Sequence, residues 1–195
     1  MKILKLTKTG IAAIITGVVM FAFTSCEPQP DDSKEVAEEQ NEETFDTRQT
    51  EKDADYLVDA AAILQKNTKL GELAATKATT PEVKDLGSDM AKTHGDDLAE
   101  LQALATSKAI TLPGATTENT MDAYEDLNDK TGLDFDKKYC DKVISSHKDA
   151  INKMETIEQK AEDADIRAWA TKMLPHLRSH LTTAEGIQNT VKDMK

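Results

Sequence analysis

The sequence predicts an all-α protein: an antiparallel bundle of four long helices, with a short extra helix in the connection between the second and third. Aromatic residues make up only 4% of the chain, and glycine and proline together number 13 of 195, poor material for sandwiches or barrels. Beyond Glu51, apolar or small residues recur three and four positions apart through four long stretches. Helix-starting and helix-breaking residues punctuate those stretches.

The first 25 residues differ in kind. Lys2, Lys5 and Lys8 precede the apolar run from Ile11 to Phe23, and no acid is present. That run has the length of a signal-peptide core and falls short of the roughly 20 apolar residues a spanning helix needs. Phe23-Thr24-Ser25-Cys26 follows and resembles the lipobox of bacterial lipoproteins, in which cleavage leaves the cysteine as the lipidated N-terminus. Residues 1–25 are therefore expected to be a lipoprotein signal peptide, Cys26 the lipidation site, and the protein an envelope protein anchored by lipid to the periplasmic side or outer face of an outer membrane. With Cys26 lipidated, only Cys140 remains, and one thiol cannot make an intrachain disulfide.

Residues 26–50 hold nine acids, two bases, Pro28 and Pro30, with almost nothing apolar, and read as a disordered tether. Asp31-Asp32 also resembles the acidic residues that follow the cysteine in some surface-exported lipoproteins. Loss of the signal peptide would take the net charge from −12 to −15. An acidic balance of this size excludes a basic nucleic-acid footprint.

The bundle is expected over residues 51–195. Its first helix runs from about Asp53 to Ala78 on Leu57, Ala61, Leu64, Thr68, Gly71 and Ala75. The second opens at Pro81 behind Thr80 as N-cap and continues through Val83, Met90, Leu101 and Leu104 to about Lys108. Leu112-Pro113-Gly114 breaks the chain, and a short helix from Glu118 to Lys130 is ended by Gly132. The third long helix spans about Asp134 to Ala161 and the fourth about Asp163 to Met194, the latter interrupted at Pro175, which frees the carbonyl of Thr171. Helices of this length rise some 40 Å at 1.5 Å per residue.

All four histidines fall in these helices, and His94, His147 and His180 continue the apolar stripes where a core hydrophobe would stand. His176 and His180 straddle the middle of the fourth helix, His94 and His147 sit near the middles of the second and third, and Asn67 lies mid-way along the first. Midpoints coincide in height whichever way the helices run, so an antiparallel bundle brings these residues to one level. That is where bundles build metal or cofactor sites. Two readings follow: a structural polar layer satisfied by its own hydrogen bonds, or a metal site of His94, His147 and His180, with Asn67 or His176, for Zn²⁺ or copper. The segment Met90-x3-His94-x-Asp96 recurs as Val143-x3-His147-x-Asp149, which reads as the echo of two related helical hairpins.

The set Leu70-Gly71-Glu72-Leu73-Ala74, Met90-x3-His94, Leu112-Pro113, Phe135-Asp136-x2-Tyr139 with His147, and Leu174-Pro175-x-Leu177-x2-His180 resembles the bacterial ferritin-like family called domain of unknown function 4142. The resemblance covers about Asp55 to Ile187 and implies a ferritin-like four-helix fold in an exported protein, with no settled activity to carry over. A di-iron centre needs a Glu from each of two helices and a Glu-x-x-His from each of the others. Where the family commonly shows Glu-x-Glu in the first helix this chain has Asn67 and Lys69, and nothing acidic stands three before His147, His176 or His180. The expectation is a non-enzymatic binding or stress-related module with an envelope protein or a metal as partner. The competing expectation is a metal-dependent oxidoreductase or ferroxidase of ferritin-like type.

Overall fold

The structure is a computed structural model and describes residues 32–194; the predicted signal peptide and Cys26 lie outside the described residues. The described chain is helical throughout, in the order α1 (Ser33–Thr44), α2 (Arg48–Lys77), α3 (Pro81–Ser107), α4 (Glu118–Asn128), α5 (Gly132–Lys160) and α6 (Ala164–Lys192). None of these helices is long and apolar enough to cross a membrane.

The four long helices form the predicted bundle, and side-chain pairs fix their directions. Lys153 meets Asp59 while Ser146 meets Asn67, so α5 runs antiparallel to α2. Lys172 meets Glu100 while His180 faces Asp89, so α6 runs antiparallel to α3. With α2–α3 and α5–α6 as hairpins, the chain goes up, down, down, up, and α3 and α5 are parallel diagonal partners. The segment between them must therefore travel the length of the bundle. It does so along α2: Gln65 donates to the Pro113 carbonyl, Lys66 reaches Asn119, and Lys77 reaches Asn128.

A buried aspartate from each hairpin closes the turn of the other. Asp136 of α5, fully buried, accepts from the backbone N–H of Thr79 (2.9 Å) and Thr80 (2.8 Å) at the α2–α3 turn. Asp53 of α2 accepts from the N–H of Glu162 and, at 2.8 Å, of Asp163 at the α5–α6 turn. Asp53 and Asp136 stand 83 positions apart, as do Thr79 and Glu162. This is the repeat that relates the hairpins. The His94/His147 echo instead relates α3 to α5, the diagonal pair, and its effect is to put both histidines at one height. Thr80 does occupy the N-cap of α3, but its hydroxyl makes no capping bond; Asp136 satisfies that helix end.

Two further differences from expectation have local causes. The acidic segment is not a tether along its whole length: Ser33–Thr44 is a helix, capped by Asp32 on the N–H of Lys34, and it buries Ala37 and Asn41. Asn41 exchanges two hydrogen bonds with the backbone of Thr111, and Ser33 donates to the carbonyl of Ala115. Docking of this kind needs one small residue and one amide on a helix face, too little apolar content to register in a composition. Gly132 opens α5 instead of closing α4; its φ of +59° makes the corner that other side chains rarely adopt.

At the crossing of α2 and α3, Gly71 and Gly87 bring the two backbones together. A Cβ on Gly71 would stand 2.7 Å from the amide nitrogen of Ala91, and one on Gly87 would stand 2.7 Å from that of Ala75. The bundle core divides into two apolar clusters. One is built around Leu57, Leu64, Leu101, Met154 and Ile157, the other around Leu70, Met90, Phe135, Tyr139 and Val143. Each long helix changes cluster at its middle, between Leu64 and Leu70, Leu101 and Met90, Ala150 and Val143, and Leu177 and Ala184. The residues at those four breaks are Asn67, His94, His147 and His180.

Candidate metal centre

His94 and His147 are fully buried and His180 is 5% exposed. Their ring centroids lie 5.0–5.4 Å apart in a triangle, and one nitrogen from each falls within 4.8 Å of the others. The Nε2 atoms of His94 and His147 stand 3.2 Å apart. Two imidazole nitrogens held about 2.05 Å from a tetrahedral zinc ion are about 3.3 Å apart, so this edge already has the spacing of a ligand pair.

The outer nitrogens decide what the inner ones can do. His147 Nδ1 lies 2.9 Å from the Val143 carbonyl, a pure acceptor, so Nδ1 carries the proton and Nε2 presents a lone pair inward. His94 Nδ1 faces Asp97 Oδ2 at 3.8 Å, and His180 Nε2 faces Asp89 Oδ2 at 3.3 Å. Every imidazole thus has an acceptor behind it, the arrangement that orients metal-binding histidines. Among the described side chains, polar partners are missing. The short Nε2–Nε2 approach takes one proton from His94, which turns the bare Nδ1 of His94 towards a carboxylate. His94 Nδ1, Asp97 Oδ2 and His180 Nδ1 are all buried without a hydrogen-bond partner. Each such orphan costs about 1–3 kcal/mol. A cation at the centre lets His94 carry its proton on Nδ1 towards Asp97, and gives both Nε2 lone pairs and His180 Nδ1 something to bind.

Burial favours the ligand form of the rings. Desolvation, reinforced by the neighbouring rings, pushes His94 down to about 2 and His147 down to about 4, and it lowers His180 against the opposing pull of Asp89. The imidazoles are neutral at physiological pH and free to coordinate. Burial likewise pushes the Asp97 carboxyl up to about 6, with His176 pulling the other way.

Of the predicted site residues, the structure brings together His94, His147 and His180. Asn67 is buried at the same level, but its Oδ1 accepts from Ser146 Oγ at 2.8 Å and its amide nitrogen has no partner. His176 lies outside the triangle, its side chain 45% exposed and its Nδ1 3.6 Å from Asp97 Oδ1. Asp89 and Asp97 were not singled out from the sequence; the signal for Asp97 was its position three after His94, on the same helix face. Cys140 is buried, and desolvation pushes its thiol up to about 12, which makes it inert.

The model of the family described as "Domain of unknown function (DUF4142)" matches residues 38–187. The chain belongs to the DUF4142 family. The match begins inside α1 and extends through most of α6, so the family domain takes in the bundle, the crossover and part of the docked first helix. No curated protein matches the chain. Among solved structures the chain is similar to a conserved hypothetical protein, rv2844, from Mycobacterium tuberculosis, with a TM-score of 0.52 and 16% identity over 80% of this chain and 93% of that one. At that identity the likeness shows the fold alone.

Proposed function

We propose that this DUF4142 protein is a lipid-anchored protein of the bacterial cell envelope whose bundle binds one transition-metal ion, Zn²⁺ or copper, through His94, His147 and His180. The observation that carries the metal reading is that each imidazole has an acceptor behind it while His94 Nδ1, His180 Nδ1 and Asp97 Oδ2 are buried without a hydrogen-bond partner. The donor set is three neutral imidazoles, which suits zinc and copper; the cluster includes no carboxylate, which disfavours the di-iron ferroxidase alternative. The up-down-down-up course with one long crossover is the one ferritin-like folds use, and supports descent from that group without its chemistry.

The anchor rests on the sequence alone: the basic start, the short apolar run and the lipobox ending at Cys26. Because α1 is docked, only the six residues after Cys26 separate the anchor from the folded domain, a reach of at most about 22 Å. The bundle would then lie close to the headgroups. Two measurements test the two halves. Calorimetric titration with Zn²⁺ should show one site per chain, abolished by His147→Ala; no heat of binding would leave the histidines as a structural polar layer. Metabolic labelling with a fatty acid should mark the full chain and not Cys26→Ala; no label on the full chain, or equal label on both, would remove the anchor.

A further inference from the structure

A groove of about 440 Å³ runs between α3 and α6 from solvent to the edge of the histidine triangle. His180 belongs both to the triangle and to the groove wall. The other charged or titratable side chains of the wall are Asp89, Asp96, Asp97, Glu100 and His176, and no lysine or arginine lines it. Two of the carboxylates carry lysines on the rim: Lys92 lies 2.6 Å from Asp96, and Lys172 lies 2.6 Å from Glu100. Asp89 and Asp97 have no lysine or arginine partner among the ion pairs of the described residues, and their neighbours are His180, His94 and His176.

Asp97 joins the outside to the inside. It is 4% exposed; its Oδ1 faces half-exposed His176 at 3.6 Å and its Oδ2, without a hydrogen-bond partner, faces buried His94 at 3.8 Å. A buried carboxylate with one oxygen on a surface imidazole and the other on a core imidazole is unneeded by a sealed polar layer. It fits a path along which a cation exchanges ligands stepwise. We infer that the α3–α6 groove is the port through which a divalent transition-metal ion reaches the three-histidine centre, with His176 and Asp97 as its landing pair. The inference rests on the metal reading above. An acidic cleft with low-dielectric walls concentrates cations, and such focusing changes association rates by tenfold or more.

The test is stopped-flow uptake of Zn²⁺ by the full chain in detergent, followed by displacement from a fluorescent zinc chelator. The amplitude reports the centre and the rate reports the port. His176→Ala is expected to slow uptake by about tenfold. Asp96→Asn/Glu100→Gln leaves Lys92 and Lys172 unpaired at the rim opposite Asp89 and Asp97; it is expected to slow uptake and to flatten the salt dependence of the rate, whereas the unmodified chain slows with salt. All three positions are on the surface of helices, and an unchanged helical circular dichroism spectrum would separate slow uptake from misfolding. Rates within twofold of the unmodified chain in both variants would overturn the port while leaving the centre intact. Absence of any uptake by the unmodified chain would overturn the metal reading and the port together.

Discussion

Gly87 and Gly95 lie two turns apart on α3, and replacing each by alanine should move stability in opposite directions. At Gly95 an added Cβ meets nothing within 4 Å, so the substitution removes only the glycine's excess backbone entropy. The gain is about 0.5–1 kcal/mol, or about 1–4 °C in Tm for a chain of this size. At Gly87 the same Cβ lands 2.7 Å from the Ala75 nitrogen, 2.8 Å from the Ala74 Cβ and 2.9 Å from the Gly71 carbonyl oxygen. Ordinary contact begins at about 3.4 Å, so the helices must part by about 0.7 Å at a place where the obstacle is backbone and cannot rotate away. Overpacking of this kind costs about 1–3 kcal/mol, which exceeds the entropic gain. Gly87→Ala should lower Tm by several degrees and Gly95→Ala should raise it, both read by calorimetry on the metal-free protein. If Gly87→Ala were neutral or stabilising, the close crossing of α2 and α3 at Gly71 and Gly87 would be refuted.

Other consequences are equally direct. Because the pKa values of His94 and His147 are depressed to about 4 or below, the unfolded chain takes up protons first as pH falls. Stability is full above about pH 6.5 and declines towards pH 4 as these histidines take up protons in the unfolded chain; Asp97, whose pKa is raised, offsets part of the loss below about pH 6. Urea unfolding of the apoprotein at pH 7, 5.5 and 4.5 checks this, and equal midpoints would contradict it. Asp97→Asn should weaken zinc affinity by about 10–100-fold while leaving the apoprotein's Tm nearly unchanged, since it removes the negative charge behind a ligand and not a packing contact. Asp136→Ala strands one buried and one part-buried N–H group at the α2–α3 turn and should cost about 2–4 kcal/mol by urea denaturation. Asn41→Ala releases α1 from Thr111 and should speed limited proteolysis of the crossover near Thr111 without unfolding the bundle.

The four long helices were legible because each carries a stripe of period near 3.6 and ends in a turn, and the common height of the histidines followed from helix midpoints alone. Helix α1 was not legible. Its docking depends on one asparagine meeting the Thr111 backbone 70 positions away, which no local pattern reveals. The turn-closing roles of Asp53 and Asp136 were hidden for the same reason: each acts on a turn in the other hairpin, and in sequence each reads as an ordinary acid on a helix. The histidine triangle could be anticipated from stripe positions, but the exclusion of His176 could not. Residues 176 and 180 are one turn apart on α6, and only the rotation of that helix about its axis puts one inside and the other on the rim.

The central claim is that the histidine layer is a metal site, and its most direct test is the metal content of the full chain purified natively from the envelope. Inductively coupled plasma mass spectrometry should find close to one equivalent of zinc or copper per chain, and none in the His94→Ala/His147→Ala variant. Absence of metal in the unmodified protein as isolated, with no uptake on reconstitution, would contradict the claim and leave the three histidines as a layer that only divides the core.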